Sequence, residues 1–396
     1  MDRREGARVE GSAPATLVVF ADDWGRHPSS CQHLVRRLLP TRAVYWVNTI
    51  GTRRPSIDLA TLRRGAEKAA GWLKPANPRS DAPDAAGRGA PQVLSPVMWP
   101  SFGGRVQRRV NRDLLTRAIN QRIAPSPRPR VAVTTLPLAA DLVGRLDVDA
   151  WLYYCVDDLA EWPGLDRSTL CQMERELLRA VDGVVCVSEH LQRRLGRLGR
   201  DAELVTHGVD LEHWEGGSGA GEHADALFWG LIDRRMESAW VGALADRLAE
   251  LGRGAVVLAG PVESIDAAVT AHPRVRLLGP VDYNKLPALA ASAGALVMPY
   301  RDLPATQAMQ PLKMKEYLAT GRPCVVRRLP ATAPWADCLD VVDTAEGFVS
   351  ATLRRIEQGL PSEQKAARAR LKDESWDAKS AAFAAAIDSL VSGRRP

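Results

Sequence analysis

"PLKMKEYLATGRPCVV", residues 311–326, sets a helix start, a helix stop and the opening of a strand in one short run. Pro311 suits a first helical turn, where its missing N–H would have no partner anyway. The preceding "TQAMQ" (306–310) therefore reads as a loop that delivers the chain to a helix N-terminus near residue 311. Free N–H groups and the macrodipole make that end attractive to an anion, and Lys313 adds a full positive charge in the first turn. Glu316 follows three residues later, on the same face and one turn deeper. Gly321 ends the helix, and Pro323 opens the strand "PCVVR" (323–327). A diphosphate fits the helix end, and a carboxylate one turn further on can accept both hydroxyls of a ribose. The same spacing also fits a Glu316 that pairs with Lys313 or Lys315 on a solvated face.

The strand after Gly321 is one of many. Short Val, Leu and Ala runs alternate with amphipathic stretches along the chain, the pattern of parallel sheets with crossover helices. In the first half they are 16–21, 43–48, 92–97, 130–135, 151–156, 183–188 and 202–206, with helices such as 29–39, 104–123 and 169–181 between. The polar, Gly-rich "EGGSGAGEHAD" (215–225) then breaks the pattern as a linker would. Alternation resumes at 226–230, 254–260, 275–279 and 294–300. The expected class is α/β, with two doubly wound units: residues 1–212, a linker at 213–225, and residues 226–373. A last helix within 374–396 carries Trp376, Phe383, Ile387 and Leu390 on one stripe and is placed back across the first unit. Residues 75–91, rich in Pro, Ala and Arg, read as a surface insertion.

A chain of 396 residues exceeds the size at which one core stops growing, which agrees with two domains. The first fifteen residues lack an apolar h-region and read as a loose tail, which predicts a cytoplasmic protein. Its six cysteines are scattered, with no Cys-x-x-Cys pair, so neither a metal site nor a disulfide framework is expected. Residues 1–200 hold 31 Lys and Arg against 21 Asp and Glu, and residues 201–396 hold 22 against 26. The basic half should face something anionic.

Doubly wound sheets bind ligands beyond the carboxyl ends of their strands. "DDWGRHPSSCQHL" (22–34) follows the first strand there, so Arg26 and His27 could meet an acceptor or phosphate, and His33 either does so or is a packed ring. "CVDDLAEW" (155–162) puts Asp157 and Asp158 at another such end; either could accept the proton of an acceptor hydroxyl, or both could serve a helix cap and turn. Asp147 and Asp149 spell a metal-binding Asp-x-Asp, but they precede a strand where such a motif would end one, so no metal is expected. Helix 104–123 sets Val106, Val110, Leu114 and Ile119 or Ile123 on one side among six arginines. It suits either an ordinary solvated helix or one lying on an anionic membrane surface. Nucleic acid is not expected, because the charge is not interleaved with aromatics.

The segment "AGALVMPYRDLPATQAMQPLKMKEYLATGRPCVVRRL" (293–329) resembles the donor-site signature of group 1 nucleotide-sugar glycosyltransferases of the GT-B fold. It is most similar to bacterial cell-surface polysaccharide members, which carry Pro-Leu-Lys and then Glu-Tyr-Leu-Ala-x-Gly. "YYCVDDLAEWPG" (153–164), "DGVVCVSEHL" (182–191), "VTHGVDLEHW" (205–214), "FWGLID" (228–233) and "SWDAK" (375–379) agree in order. The resemblance implies two Rossmann-like domains facing across a cleft and a usually retaining transfer to a glycan, lipid-linked or small-molecule hydroxyl, without a cofactor and at or off the inner face of a membrane. Carried over, Glu316 is the ribose ligand, and Gln310, Pro311, Leu312 and Lys313 belong to the diphosphate cradle. Gly230 with Arg234 and Arg235 flanks the diphosphate, and Tyr283 and Asn284 approach the base. Where many members have an acidic residue against the transferred sugar, this chain has Ala308, leaving Thr306, Gln307, Gln310 or the backbone to substitute. An epimerase of the same fold and a non-catalytic nucleotide-sugar binder are the rival readings.

Overall fold

The computed structural model describes residues 14–25, 29–48, 89–99, 101–162, 164–214 and 224–392. Strands β1 (Thr16–Ala21), β2 (Val44–Asn48), β3 (Gln92–Leu94), β4 (Arg130–Thr134), β5 (Ala150–Cys155), β6 (Gly183–Cys186) and β7 (Glu203–Leu204) form a seven-stranded sheet in the order β3-β2-β1-β4-β5-β6-β7. Strands β8 (Ala226–Trp229), β9 (Val256–Ala259), β10 (Val275–Gly279), β11 (Ala295–Met298), β12 (Cys324–Arg327) and β13 (Asp340–Val342) form a second sheet, β10-β9-β8-β11-β12-β13. Every pairing between these strands is parallel. Helices on both faces explain why β1, β4, β5, β8, β9 and β11 are buried along their whole length instead of alternating. The structure adds β13, a half-buried edge strand too short to show a period in sequence.

Each sheet reverses its winding once, between β1 and β4 and between β8 and β11. A crevice opens beyond the strand ends at such a reversal. The chain passes between the sheets near Val209 and returns near Ser375, and the two passes pair as a parallel bridge, with Val209 N–H donating to Glu374 O at 2.8 Å. Ser375 caps the returning helix Trp376–Val391 by accepting from Ala378 N–H at 3.2 Å. That helix packs against helix Ser30–Leu38 and against β5 and β6. Phe383 lies 5.0 Å from Tyr154, and Ser380 Oγ donates to Leu34 O at 3.2 Å.

Two expectations need correction. Helix Arg105–Ile123 does not set Val106, Val110 and Leu114 on one side with Ile119 or Ile123. It buries Asn111, Leu115, Ile119 and Ile123 and leaves Val106, Val110 and Leu114 in solvent, because Asn111 turns inward to bond the 99–101 turn. The stretch "TQAMQ" is not all loop: Pro304–Ala308 is a short helix whose Thr306 hydroxyl accepts from Leu303 N–H at 2.9 Å. Of residues 75–91 only 89–91 fall within the described residues, and Arg26, His27 and most of the 213–225 linker fall outside them.

Candidate functional site

Helix Leu312–Ala319 begins just after Pro311 and runs beside the reversal of the second sheet. Lys313 reaches back across that point: its Nζ donates to Tyr300 Oη at 2.6 Å, just beyond β11, and lies 4.6 Å from the centre of the Phe228 ring in β8. Gly230 closes β8 directly under it. A Cβ there would stand 2.1 Å from Lys313 Nζ, and φ of +130° is a conformation that side-chain-bearing residues rarely adopt. Gly260 does the same for β9, where a Cβ would meet Gly230 O at 1.9 Å. Backbone and ammonium are thus packed as closely as glycine allows, as a group binding at the strand ends requires.

One turn along, Glu316 is half-buried and makes no ion pair with Lys313 or Lys315. Its two oxygens accept from Trp229 Nε1 at 3.3 Å and from Tyr283 Oη at 3.2 Å. Burial raises its pKa, and the Trp229 and Tyr283 hydrogen bonds with nearby Lys313 work against that rise. Burial and the neighbouring Glu316 raise Tyr283 as well, keeping its phenol a donor. Lys315 faces the other way. It is buried and donates to Glu374, His207 O and Thr206 Oγ1, which ties this helix to both interdomain passes of the chain.

Tyr283 is not an open platform for a base. The ring of His213 covers one face at 4.3 Å and 5°, and the phenol is committed to Glu316. Asn284 is exposed. Thr306 is buried within its turn, and Gln307 donates to Asp302 at 2.5 Å. Gln310 is half-buried beside Pro311. Ala308 is 2% exposed and packs with the core of the first sheet, as Leu312 does at its margin, so the start of the helix lies on the seam between the sheets.

From the first sheet, Asp157 follows β5 and is half-buried, and its carboxylate makes no hydrogen bond among the described residues. Burial pushes its pKa up to about 7 against the pull of Arg235. Arg235 is buried, pairs with Asp233 at 2.9 Å and lies 4.5 Å over the Trp162 ring across the seam. Arg234 is exposed beside it. Asp158 is placed differently: it pairs with Arg194 at 2.6 Å, Arg194 with Glu174 at 2.5 Å, and Tyr153 donates to Glu174 at 3.0 Å. That chain of bonds borders a hollow lined by Cys171, Glu174, Arg175 and Arg197, outside the seam. His33 is a packed ring, stacked on Trp376 at 4.6 Å and 5°, and burial with Arg37 and Arg36 lowers its pKa to about 3. Asp147 and Asp149 are both clamped by Arg128, and Arg130 takes Asp147 at 2.6 Å.

Sequence reasoning does not reach Trp229 and Tyr300. Their signal is an aromatic side chain at, or just past, the carboxyl end of a strand flanking the reversal.

No family model matches the chain. A protein of Bacillus subtilis (strain 168), "Putative teichuronic acid biosynthesis glycosyltransferase TuaH", is 23% identical over 181 residues, which is 42% of this chain and 45% of that one. The chain thus matches less than half the length of that relative. Sucrose-phosphate synthase from Thermosynechococcus elongatus superposes with a TM-score of 0.67 at 14% identity, over 96% of this chain and 100% of that one. The α,α-trehalose 6-phosphate synthase of Burkholderia multivorans gives 0.61 at 13%, over 96% and 98%. HepE of Anabaena, in complex with UDP and glucose, gives 0.58 at 11%, over 96% and 97%. With two all-parallel sheets meeting at a seam, this chain shares the two-domain GT-B fold of these solved structures.

Proposed function

We propose that the chain transfers a sugar from a nucleoside diphosphate sugar to a hydroxyl acceptor of a glycan or lipid-linked intermediate in cell-surface polysaccharide synthesis. The observation that carries this reading is the pair Lys313 and Glu316, one turn apart on a helix that starts at the sheet reversal. The diphosphate takes the helix start and Lys313, displacing Tyr300 Oη as its partner. The ribose hydroxyls take the place of Trp229 and Tyr283 at Glu316. Arg234 and Arg235 complete the neutralisation of the leaving diphosphate, a role this reading gives to the protein and not to a metal ion. Asp157 accepts the hydrogen bond of the acceptor hydroxyl, and the sugar is transferred with retention, the departing phosphate taking the proton on the same face. Cytoplasmic location at the inner face of a membrane belongs to the same reading. The relative's name favours transfer over epimerisation.

The test is calorimetry with UDP and a panel of nucleotide sugars assayed for hydrolysis and transfer. Glu316→Ala should weaken nucleoside diphosphate binding about tenfold or more, the loss of two hydrogen bonds to a charged group. Unchanged affinity in that variant would remove the site.

A further inference from the structure

Helix Arg105–Ile123 carries an apolar stripe that the core does not use. Val106 is 74% exposed, Val110 41% and Leu114 44%, at a four-residue spacing that puts them on one face. Trp99 is 55% exposed on the turn that Asn111 holds against this helix. Arg105, Arg109 and Arg117 are exposed around the stripe and make no ion pair among the described residues. Arg108, by contrast, turns inward to Asp141 and Glu176, and Arg112 pairs with Asp113. Among the described residues this exposed valine and leucine face has no protein partner, and the arginines around it, without an ion pair among those residues, call for an anionic cover.

A crossover helix in a parallel sheet starts at the carboxyl end of the preceding strand, so Arg105 and Val106 lie at the edge of the sheet that carries Asp157. Gly103, just before them, comes within 3.8 Å of Asp166 measured from an added Cβ, and Asp166 caps the helix that follows the Asp157–Trp162 loop. The stripe therefore begins beside the acceptor side of the seam. No described helix is long and apolar enough to cross a membrane. A stripe with basic flanks instead suits a helix lying in the plane of a lipid surface.

We propose that Val106, Val110 and Leu114, with Arg105, Arg109 and Arg117, are the face on which this chain lies against an anionic bilayer, and that its acceptor is carried by a lipid in that bilayer. The acceptor clause rests on the transferase reading; the surface does not.

The full chain is floated with vesicles of phosphatidylcholine alone and of phosphatidylcholine with phosphatidylglycerol. Binding should require the anionic lipid and weaken with added salt. V106D/V110D/L114D should lower partitioning about tenfold or more, and neutralising each arginine by glutamine about fivefold. These positions are exposed, so nucleoside diphosphate affinity and donor hydrolysis without vesicles should stay at wild-type values. Transfer to a lipid-anchored acceptor should fall in step with partitioning. Absent vesicle binding, equal binding of the aspartate variant, or a dimer that this variant converts to monomer would overturn the surface. If vesicles bind but wild type takes no nucleoside diphosphate, the transferase reading and its acceptor clause fall and the surface stands.

Discussion

Asp157 and Asp158 are neighbours with opposite fates. Asp158 is consumed by Arg194, and removing it would strand a buried guanidinium that already holds Glu174. Asp157 keeps a carboxylate at the seam with its pKa raised to about 7 by burial. Its ionised form is the stronger acceptor and the only one with a free site for the proton of an acceptor hydroxyl, so transfer should rise with pH and reach half its plateau near 7. Asp157→Asn should lower turnover about a hundredfold, abolish that acid limb and leave nucleoside diphosphate affinity unchanged; a retained limb in the variant would exclude Asp157. The sign for stability is the reverse. A carboxyl that binds its proton more tightly when folded loses stability as pH climbs from about 4 towards 7, a loss the asparagine variant escapes. Gly230 is the other residue whose chemistry is set by space. Gly230→Ala combines a strained φ, costing about 1–3 kcal/mol, with displacement of Lys313, so both melting temperature and nucleoside diphosphate affinity should fall.

At the scale of the element, helix Leu312–Ala319 faces two ways. Glu316 looks into the crevice, while Lys315, the preceding residue, is locked to Glu374, His207 and Thr206. Burial lowers the Lys315 pKa to about 8, although Glu374 pulls it up. The unfolded chain then holds that proton more tightly between about 8 and 10.5, so the penalty for burying the charge is full below pH 8 and relieved above it. Measured against Lys315→Met, wild-type stability should improve with pH across that window by about 3 kcal/mol, as followed by denaturant unfolding at each pH; a pH-independent difference would show that Lys315 does not titrate there. A second element was written in the sequence and is easily overlooked. "RDLPAT" (301–306) and "RRLPAT" (327–332) follow adjacent strands, and each threonine hydroxyl accepts from the leucine N–H three residues back at 2.9 Å while donating to the arginine carbonyl. These paired turns set the rim from which Tyr300 and Arg327 project.

At the scale of the molecule, two sheets are held by crossings that bring residues far apart in sequence into one seam: Arg235 over Trp162, and Lys315 on Thr206, His207 and Glu374. The parallel sheets, most strands and the position of helix Leu312–Ala319 were legible from apolar runs and capping residues, because burial on both faces and helix termination are local requirements that side chains within a few residues must satisfy. Lys313 and Glu316 were legible for the same reason, being one helical turn apart. What sequence could not assign was the fate of charged and apolar side chains whose partners arrive by long crossovers. His33 became a packed ring under Trp376, Tyr283 acquired a cover, Ala308 entered the core of the other sheet, and the apolar stripe of helix Arg105–Ile123 split into a buried half and an exposed half. Short-range periodicity sets which face of an element is apolar; only tertiary packing decides whether that face meets a sheet, a second domain or solvent, and hence which ionisable groups keep their charge.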